Sequence, residues 1–327
     1  MKKLIAFSFI ISGLLLGCGG DDNAKFKQAL YYTEKGAYNE ALKLYSSIIK
    51  DSPKNFGAYT NRGMVYETIA AKDIKNRKRA LANAEKDYVK AVEINSSNPQ
   101  ALNNLGAFYL DQGRYYNAII FLNEAIKLNP QYYTAIVNRG IAYYNVGEGI
   151  KAYNDFYRAI KINDTNWAAF FNRGLYFYDT GDYLNAALDF TKTIQLRPNY
   201  ARAFLERGRA LKMNQMYADA FNDFSTAVQM DPNNALAHYY MGEMYFKRGD
   251  YEDSLSELLK SKELDQSFVP VYELMGDIFA ASDTVAAAAN YVIARTIDPA
   301  NADRYNAKIQ MLKTEAGQKA LAGSRFF

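Results

Sequence analysis

Cys18 and His238 are the only cysteine and the only histidine in this chain of 327 residues. A single thiol can be acylated or act as a nucleophile, but it cannot close an internal disulfide. A single imidazole excludes a multi-histidine metal site. His238 stands at a position of helical apolar spacing, which marks it as a packed core side chain rather than a base. The same holds for Trp167, the only tryptophan. Tyr and Phe recur at helical spacing, which suits core or groove lining and not a cofactor pocket. The carboxylates scatter over helix faces without a pair spaced for acid–base work. No glycine-rich phosphate loop follows a strand, because no strand pattern is present. The expectation is therefore a non-enzymatic chain without cofactor or metal.

The thiol has a distinctive setting. Lys2 and Lys3 form a basic start, and Leu4 to Leu16 is an apolar run too short for a comfortable membrane span. The run ends in Leu15-Leu16-Gly17-Cys18, which resembles the bacterial lipobox. That resemblance implies a signal peptide over 1–17, a lipidated Cys18 as mature N-terminus and a leash over 18–23. Fatty acyl chains contribute about 0.8 kcal/mol per buried methylene, so two or three hold a protein firmly on a bilayer. Gly19, in place of Asp after the cysteine, resembles an outer-membrane destination and leaves periplasmic against surface face open. Removing two lysines from the formal +4 leaves about +2, too little to imply a nucleic-acid partner.

The body of the chain repeats with a period of 34. Repeat position 8 is Ala29, Gly63, Gly106, Gly140, Gly174, Gly208, Gly242 and Gly276. Position 20 is Ala41, Ala84, Ala118, Ala152, Ala186, Ala220, Ser254 and Ala287. Pro53, Pro130, Pro198, Pro232 and Pro299 close five repeats. The pattern resembles the tetratricopeptide repeat, a helical hairpin, and covers roughly residues 22–301 in eight copies. The resemblance implies an all-α superhelical array. Position 8 and position 20 are small so that two helices approach closely, and each hairpin leaves apolar surface for the next to cover. The second repeat, Phe56 to Asn98, is nine residues longer than the period, with an insertion at about 70–82 carrying Lys72, Lys75, Arg77, Lys78 and Arg79. It reads either as a protruding basic contact or as two lengthened helices with a solvated turn. Residues 302–314 read as a cap helix with Tyr305, Ile309 and Leu312 inward, and 315–327 as a frayed tail.

Two sets of residues stand out within the register. Position 7 is Arg62, Arg139, Arg173 and Arg207 in four repeats, and position 23 of those same repeats is Asp87, Asp155, Asp189 and Asp223. An antiparallel hairpin brings these positions together, so four structural ion pairs are expected. Position 6 is Asn61, Asn104, Asn138 and Asn172, and an amide can both donate and accept. This row reads either as a peptide-binding ladder, with Tyr144, Phe171 and Tyr178 beside it and Arg202, Arg209 and Lys212 attracting an acidic group, or as bonding between neighbouring helices.

The combined expectation is a membrane-anchored interaction scaffold in the bacterial cell envelope, with other envelope proteins or peptide segments as partners. A fixed structural subunit of an assembly, secretion or motility complex is the alternative. An enzyme with an unrecognised site is a third.

Overall fold

The computed structural model describes residues 20–314 and 317–318. The expected signal peptide, lipidated Cys18 and most of the tail lie outside the described residues. Every regular element among the described residues is helical, and no described helix is long and apolar enough to cross a membrane.

The helices alternate between a first and a second member of each hairpin. The first helices are α1 (Gly20–Glu34), α3 (Phe56–Lys72), α5 (Pro99–Asp111), α7 (Tyr133–Asn145), α9 (Trp167–Asp179), α11 (Ala201–Met213), α13 (Ala235–Arg248) and α15 (Val269–Phe279). The second helices are α2 (Tyr38–Asp51), α4 (Arg77–Ile94), α6 (Tyr115–Leu128), α8 (Gly149–Ile162), α10 (Tyr183–Leu196), α12 (Tyr217–Met230), α14 (Tyr251–Leu264) and α16 (Thr284–Ile297). A 3₁₀ turn at Pro299–Asn301 leads into α17 (Ala302–Met311). The chain divides into two compact units between Tyr176 and Phe177, within α9.

Small residues set the hairpin spacing in both units. A Cβ on Gly140 would lie 2.7 Å from the Phe156 ring, and one on Gly208 would lie 2.7 Å from the Phe224 ring. Phe156 and Phe224 are fully buried in that contact. In the seventh repeat Ser254 replaces Ala at position 20, and its hydroxyl donates to the Gly242 carbonyl at 2.7 Å. The turn between helices needs a left-handed residue. Gly113, Gly147, Gly181 and Gly249 supply it, whereas the sixth repeat places Gln215 there with φ 63°.

The insertion in the second repeat lengthens both of its helices. α3 has 17 residues and α4 has 18, and Lys72 ends the first while Arg77 begins the second. At the other end, α17 packs against α16, with Tyr305 and Leu312 buried and Ile309 half-buried against the same cluster.

Candidate functional site

The position-7 arginines build a clamp. Arg62 donates from Nε and Nη2 to the two carboxylate oxygens of Asp87 at 2.8 and 2.8 Å. Arg139 does so to Asp155 at 2.8 and 2.7 Å, and Arg207 to Asp223 at 2.8 and 2.7 Å. These pairs join the two helices of one hairpin in the fork-to-fork geometry that suits guanidinium. Burial pushes the Asp155 and Asp223 carboxyls up, against the pull of the paired arginine. Hydrogen bonding to the aspartate raises Arg62 and Arg207. Arg173 lies in the first unit and Asp189, buried, in the second.

Each of the three described clamps also reaches the preceding repeat, which the spacing argument missed. Nη1 donates from Arg62 to Ser46 at 3.0 Å, from Arg139 to Asn123 at 2.8 Å and from Arg207 to Thr191 at 3.1 Å. All three acceptors stand at position 25. A polar residue there, one repeat before an arginine at position 7, was the available signal.

The asparagine row does not line an open surface. Asn138 and Asn172 are fully buried, Asn61 is buried and Asn104 is half-buried. The Asn61 amide donates to the Gly57 carbonyl at 2.8 Å, and the Asn138 amide donates to Asn103 Oδ1 of the preceding repeat at 3.0 Å. The first helices of the third and fourth repeats thus meet through a buried amide pair, while Asn61 bonds within its own helix, and Asn138 and Asn172 are closed to a peptide. Phe171, expected as an aromatic contact, is also fully buried, while Tyr144 and Tyr178 are half-buried. The reading of the row as a peptide ladder is corrected: it belongs to helix packing.

The basic trio of the sixth repeat is also engaged within the fold. Glu206, buried, accepts from Arg209 and lies 3.7 Å from Arg202. Arg209 Nε donates to the Tyr240 hydroxyl at 3.1 Å, and the guanidinium stands 4.7 Å from the Tyr178 ring centroid. Lys212 donates to Glu243 at 2.6 Å. Internal acceptors therefore meet the charge that was expected to attract an acidic ligand.

These contacts belong to a ladder along the first helices of the second unit. Arg209–Tyr240, Lys212–Glu243, Arg304–Glu273 and Lys308–Asp277 each join residues 31 apart. With a period of 34, a residue at position n meets position n − 3 of the next repeat. α17 keeps the 31-residue offset, but because the eighth repeat is one residue short its positions meet n − 2, and α17 stands where a further first helix would. Lys308 bridges Glu273 at 2.8 Å and Asp277 at 2.7 Å, and the Tyr291 hydroxyl donates to Asp277 at 2.7 Å. Between the rungs lies a groove of about 230 Å³. Tyr239, Phe246 and Leu274 form its apolar floor, and Glu243, Glu273 and Arg304 its charged walls. Burial raises both the Tyr239 hydroxyl and the Asp277 carboxyl. Such a groove can hold apolar side chains while its walls exchange hydrogen bonds with an extended backbone.

Profiles of the tetratricopeptide repeat match residues 23–55, 99–132, 171–221 and 211–278. The chain is a tetratricopeptide-repeat protein. No curated protein matches it in sequence. Among solved structures it is similar to PilW, described as a widely conserved type IV pilus biogenesis factor: 19% identity, 67% of this chain and 98% of that chain, TM-score 0.59. It is similar to PilF of Pseudomonas aeruginosa at 20% identity, over 68% of this chain and 97% of that one, with TM-score 0.58. A tetratricopeptide repeat protein from Parabacteroides merdae ATCC 43184 gives 18% identity, coverage of 76% and 94%, and TM-score 0.57. At these identities the likeness is one of fold.

The remaining polar residues of this tetratricopeptide-repeat protein fit its packing. His238 is buried, with Nδ1 2.6 Å from the Glu257 carboxylate and Nε2 3.0 Å from the Pro232 carbonyl, so it ties α13 to α14 and to the preceding loop. Trp167 is half-buried at the start of α9. Among the described residues no group of three or more His, Cys, Asp and Glu is placed to hold a metal ion.

Proposed function

We propose that this protein is a lipid-anchored interaction scaffold of the bacterial cell envelope, which holds an extended segment of a partner protein along the first-helix groove of its second unit. The observation that carries this reading is the groove of about 230 Å³ with its apolar floor and charged walls. Tetratricopeptide repeats are binding surfaces by construction, since stacked hairpins leave one row of helices to face a ligand. The lipobox-like run ending at Cys18 supports the anchor, and Gly19 supports an outer-membrane destination. The partner is an envelope protein or a peptide segment of one, and the role is binding rather than catalysis.

A second reading, a fixed subunit of an assembly complex, is favoured by apolar side chains on the second helices. Tyr116, Ile120 and Ile150 are all more than half exposed on α6 and α8. Exposed apolar side chains of this size are what an assembly partner would cover, and PilW is similar in fold and is described as a pilus biogenesis factor.

Two arms test the proposal. In cells fed an alkyne fatty acid, the native chain should take up label and fractionate with membranes, whereas Cys18→Ala should do neither. Capture from detergent-solubilised membranes should return partners with the native chain and lose them with Arg304→Glu, a change on the exposed groove wall. Equal labelling of both chains would remove the anchor, and undiminished capture by Arg304→Glu would remove the groove.

A further inference from the structure

A second cavity adjoins the first-helix groove across Lys247, where the start of α12 meets the end of α13. It has a volume of about 510 Å³ and is lined by Tyr217, Phe221, Asn222, Met244, Lys247 and Arg248. One other interface of the chain carries a pair of rings at the equivalent positions. In the fourth and fifth repeats, position 21 is Tyr153 and position 10 of the next repeat is Tyr176, and the two rings fill the cleft with centroids 5.4 Å apart. In the sixth and seventh repeats the same positions hold Phe221 and Met244, so a slim thioether stands in place of a ring. Phe221 turns instead to Tyr245, edge to face at 5.4 Å.

The lining combines apolar faces with two cations. Lys247 Nζ stands 4.4 Å from the Tyr217 ring centroid, and the Arg248 guanidinium stands 5.1 Å from the Phe221 ring. No lining side chain is a carboxylate. Arg248 meets Asp250 through Nε at 3.1 Å on its exposed side, and a guanidinium has further N–H donors. Partial burial lowers the Lys247 ammonium below the usual lysine range, against the pull of Glu243. An anion entering the cavity would offset that desolvation, because a half-buried cation gains more from a counter-charge than a solvated one.

We propose that this cavity binds an aromatic side chain flanked by carboxylates on an acidic segment of a partner protein. The ring enters between Phe221 and Met244. The carboxylates reach Lys247 and Arg248 at the mouth. Charge complementarity selects the occupant: the lining offers two cations beside aromatic faces and no acidic group to repel it. A cavity of this size accommodates a phenyl ring with its neighbouring backbone. Lys247 also borders the proposed groove, so the two sites are told apart through residues that only one of them has: Met244 and Arg248 in the cavity, Arg304 in the groove.

The probe is a fluorescein-labelled pentapeptide of glycine, aspartate, phenylalanine, aspartate and glycine, with capped ends, followed by fluorescence polarisation. The native chain should bind it with Kd of about 0.1–1 mM, the range for a short flexible ligand. Replacing both aspartates by asparagine, or the phenylalanine by glycine, should weaken binding at least about fivefold, a difference of about 1 kcal/mol. Arg248→Gln, at a residue that lines the cavity and not the groove, should have a similar effect. Met244→Tyr restores the ring that fills this cleft elsewhere in the chain, so it should abolish binding. If that variant loses its helical circular dichroism, Ala218→Glu is read in its place: Ala218 is an exposed residue of the lining, and a carboxylate there both blocks the mouth and repels the peptide. Arg304→Glu in the groove should leave peptide binding unchanged. Absence of binding to the native chain at 1 mM peptide would overturn the proposal. So would equal binding of the asparagine peptide, or undiminished binding when the cavity is filled or its mouth blocked.

Discussion

The two units use one hairpin and one register, yet their first helices meet by different chemistry. In the first unit the third and fourth repeats meet amide to amide, through Asn103 and Asn138, and that contact is buried. In the second it is charge to charge or charge to hydroxyl, through the ladder from Arg209 to Lys308, and a groove remains between the rungs. The amide pair is buried and out of a ligand's reach, whereas the charged rungs border the groove. Position 6 therefore packs in one unit, while positions 5, 9 and 12 line the groove proposed as the binding face in the other.

The largest expected effect is common to both units and checks that their frames are alike. Asp155→Ala and Asp223→Ala each leave an arginine without its fork partner in a mostly buried setting, at a cost of about 3–5 kcal/mol. Urea unfolding of the two variants should give similar losses. A loss in one unit and none in the other would separate the frames as well as the faces.

A titrating pair sharpens the contrast. Tyr88 at position 24 donates to Glu67 in the first unit, and Tyr291 at the same position donates to Asp277 in the second. Burial raises both carboxyls, but Lys308 pulls Asp277 back down, whereas the nearby Asp111 pushes Glu67 further up, to about 7. The folded state thus holds the Glu67 proton more tightly than the unfolded chain does. The stability this contributes is fully present below about 4.5 and is lost as pH rises through about 7. The native chain should lose on the order of 2 kcal/mol more than Glu67→Gln between pH 5 and pH 8.5 in denaturant titrations. Parallel pH profiles would contradict this.

Next in size, Asn138→Ala removes a buried amide and strands Asn103, so it should cost about 2 kcal/mol. Lys212→Met in the second unit strands Glu243, whose side chain is mostly buried, and should cost about as much. Melting curves of the two variants would compare them, and a negligible loss with Lys212→Met would show that the ladder is screened by water.

The fold was legible because its signal is local and repeated. Gly at position 8 and Ala at position 20 recur at a fixed period, and the pairing of position 7 with position 23 needs only the two helices of one hairpin. The ladder was not legible, because the 31-residue offset depends on how successive repeats stack, and no single hairpin reveals it. The asparagine row misled for a related reason. Polarity suggests exposure, but an amide can satisfy itself inside a helix interface, as Asn61 does on the Gly57 carbonyl. The smallest effect follows from a local rule the sixth repeat breaks. Gln215 takes the left-handed place that glycine holds in its neighbours. Gln215→Gly should therefore stabilise the protein by about 0.5–1 kcal/mol in the same denaturant assay, and a loss of stability would show that the side chain has a compensating contact.

The contrast between the two faces is tested most directly by photo-cross-linking in cells, with benzoylphenylalanine in place of Tyr239 in the second-unit groove or in place of Asn104 in the first-unit row. Both residues are half-buried, so access alone does not favour either. A discrete protein adduct from Tyr239, with none from Asn104, is the predicted result. Adducts from Asn104 and none from Tyr239 would contradict the account and return recognition to the asparagine row.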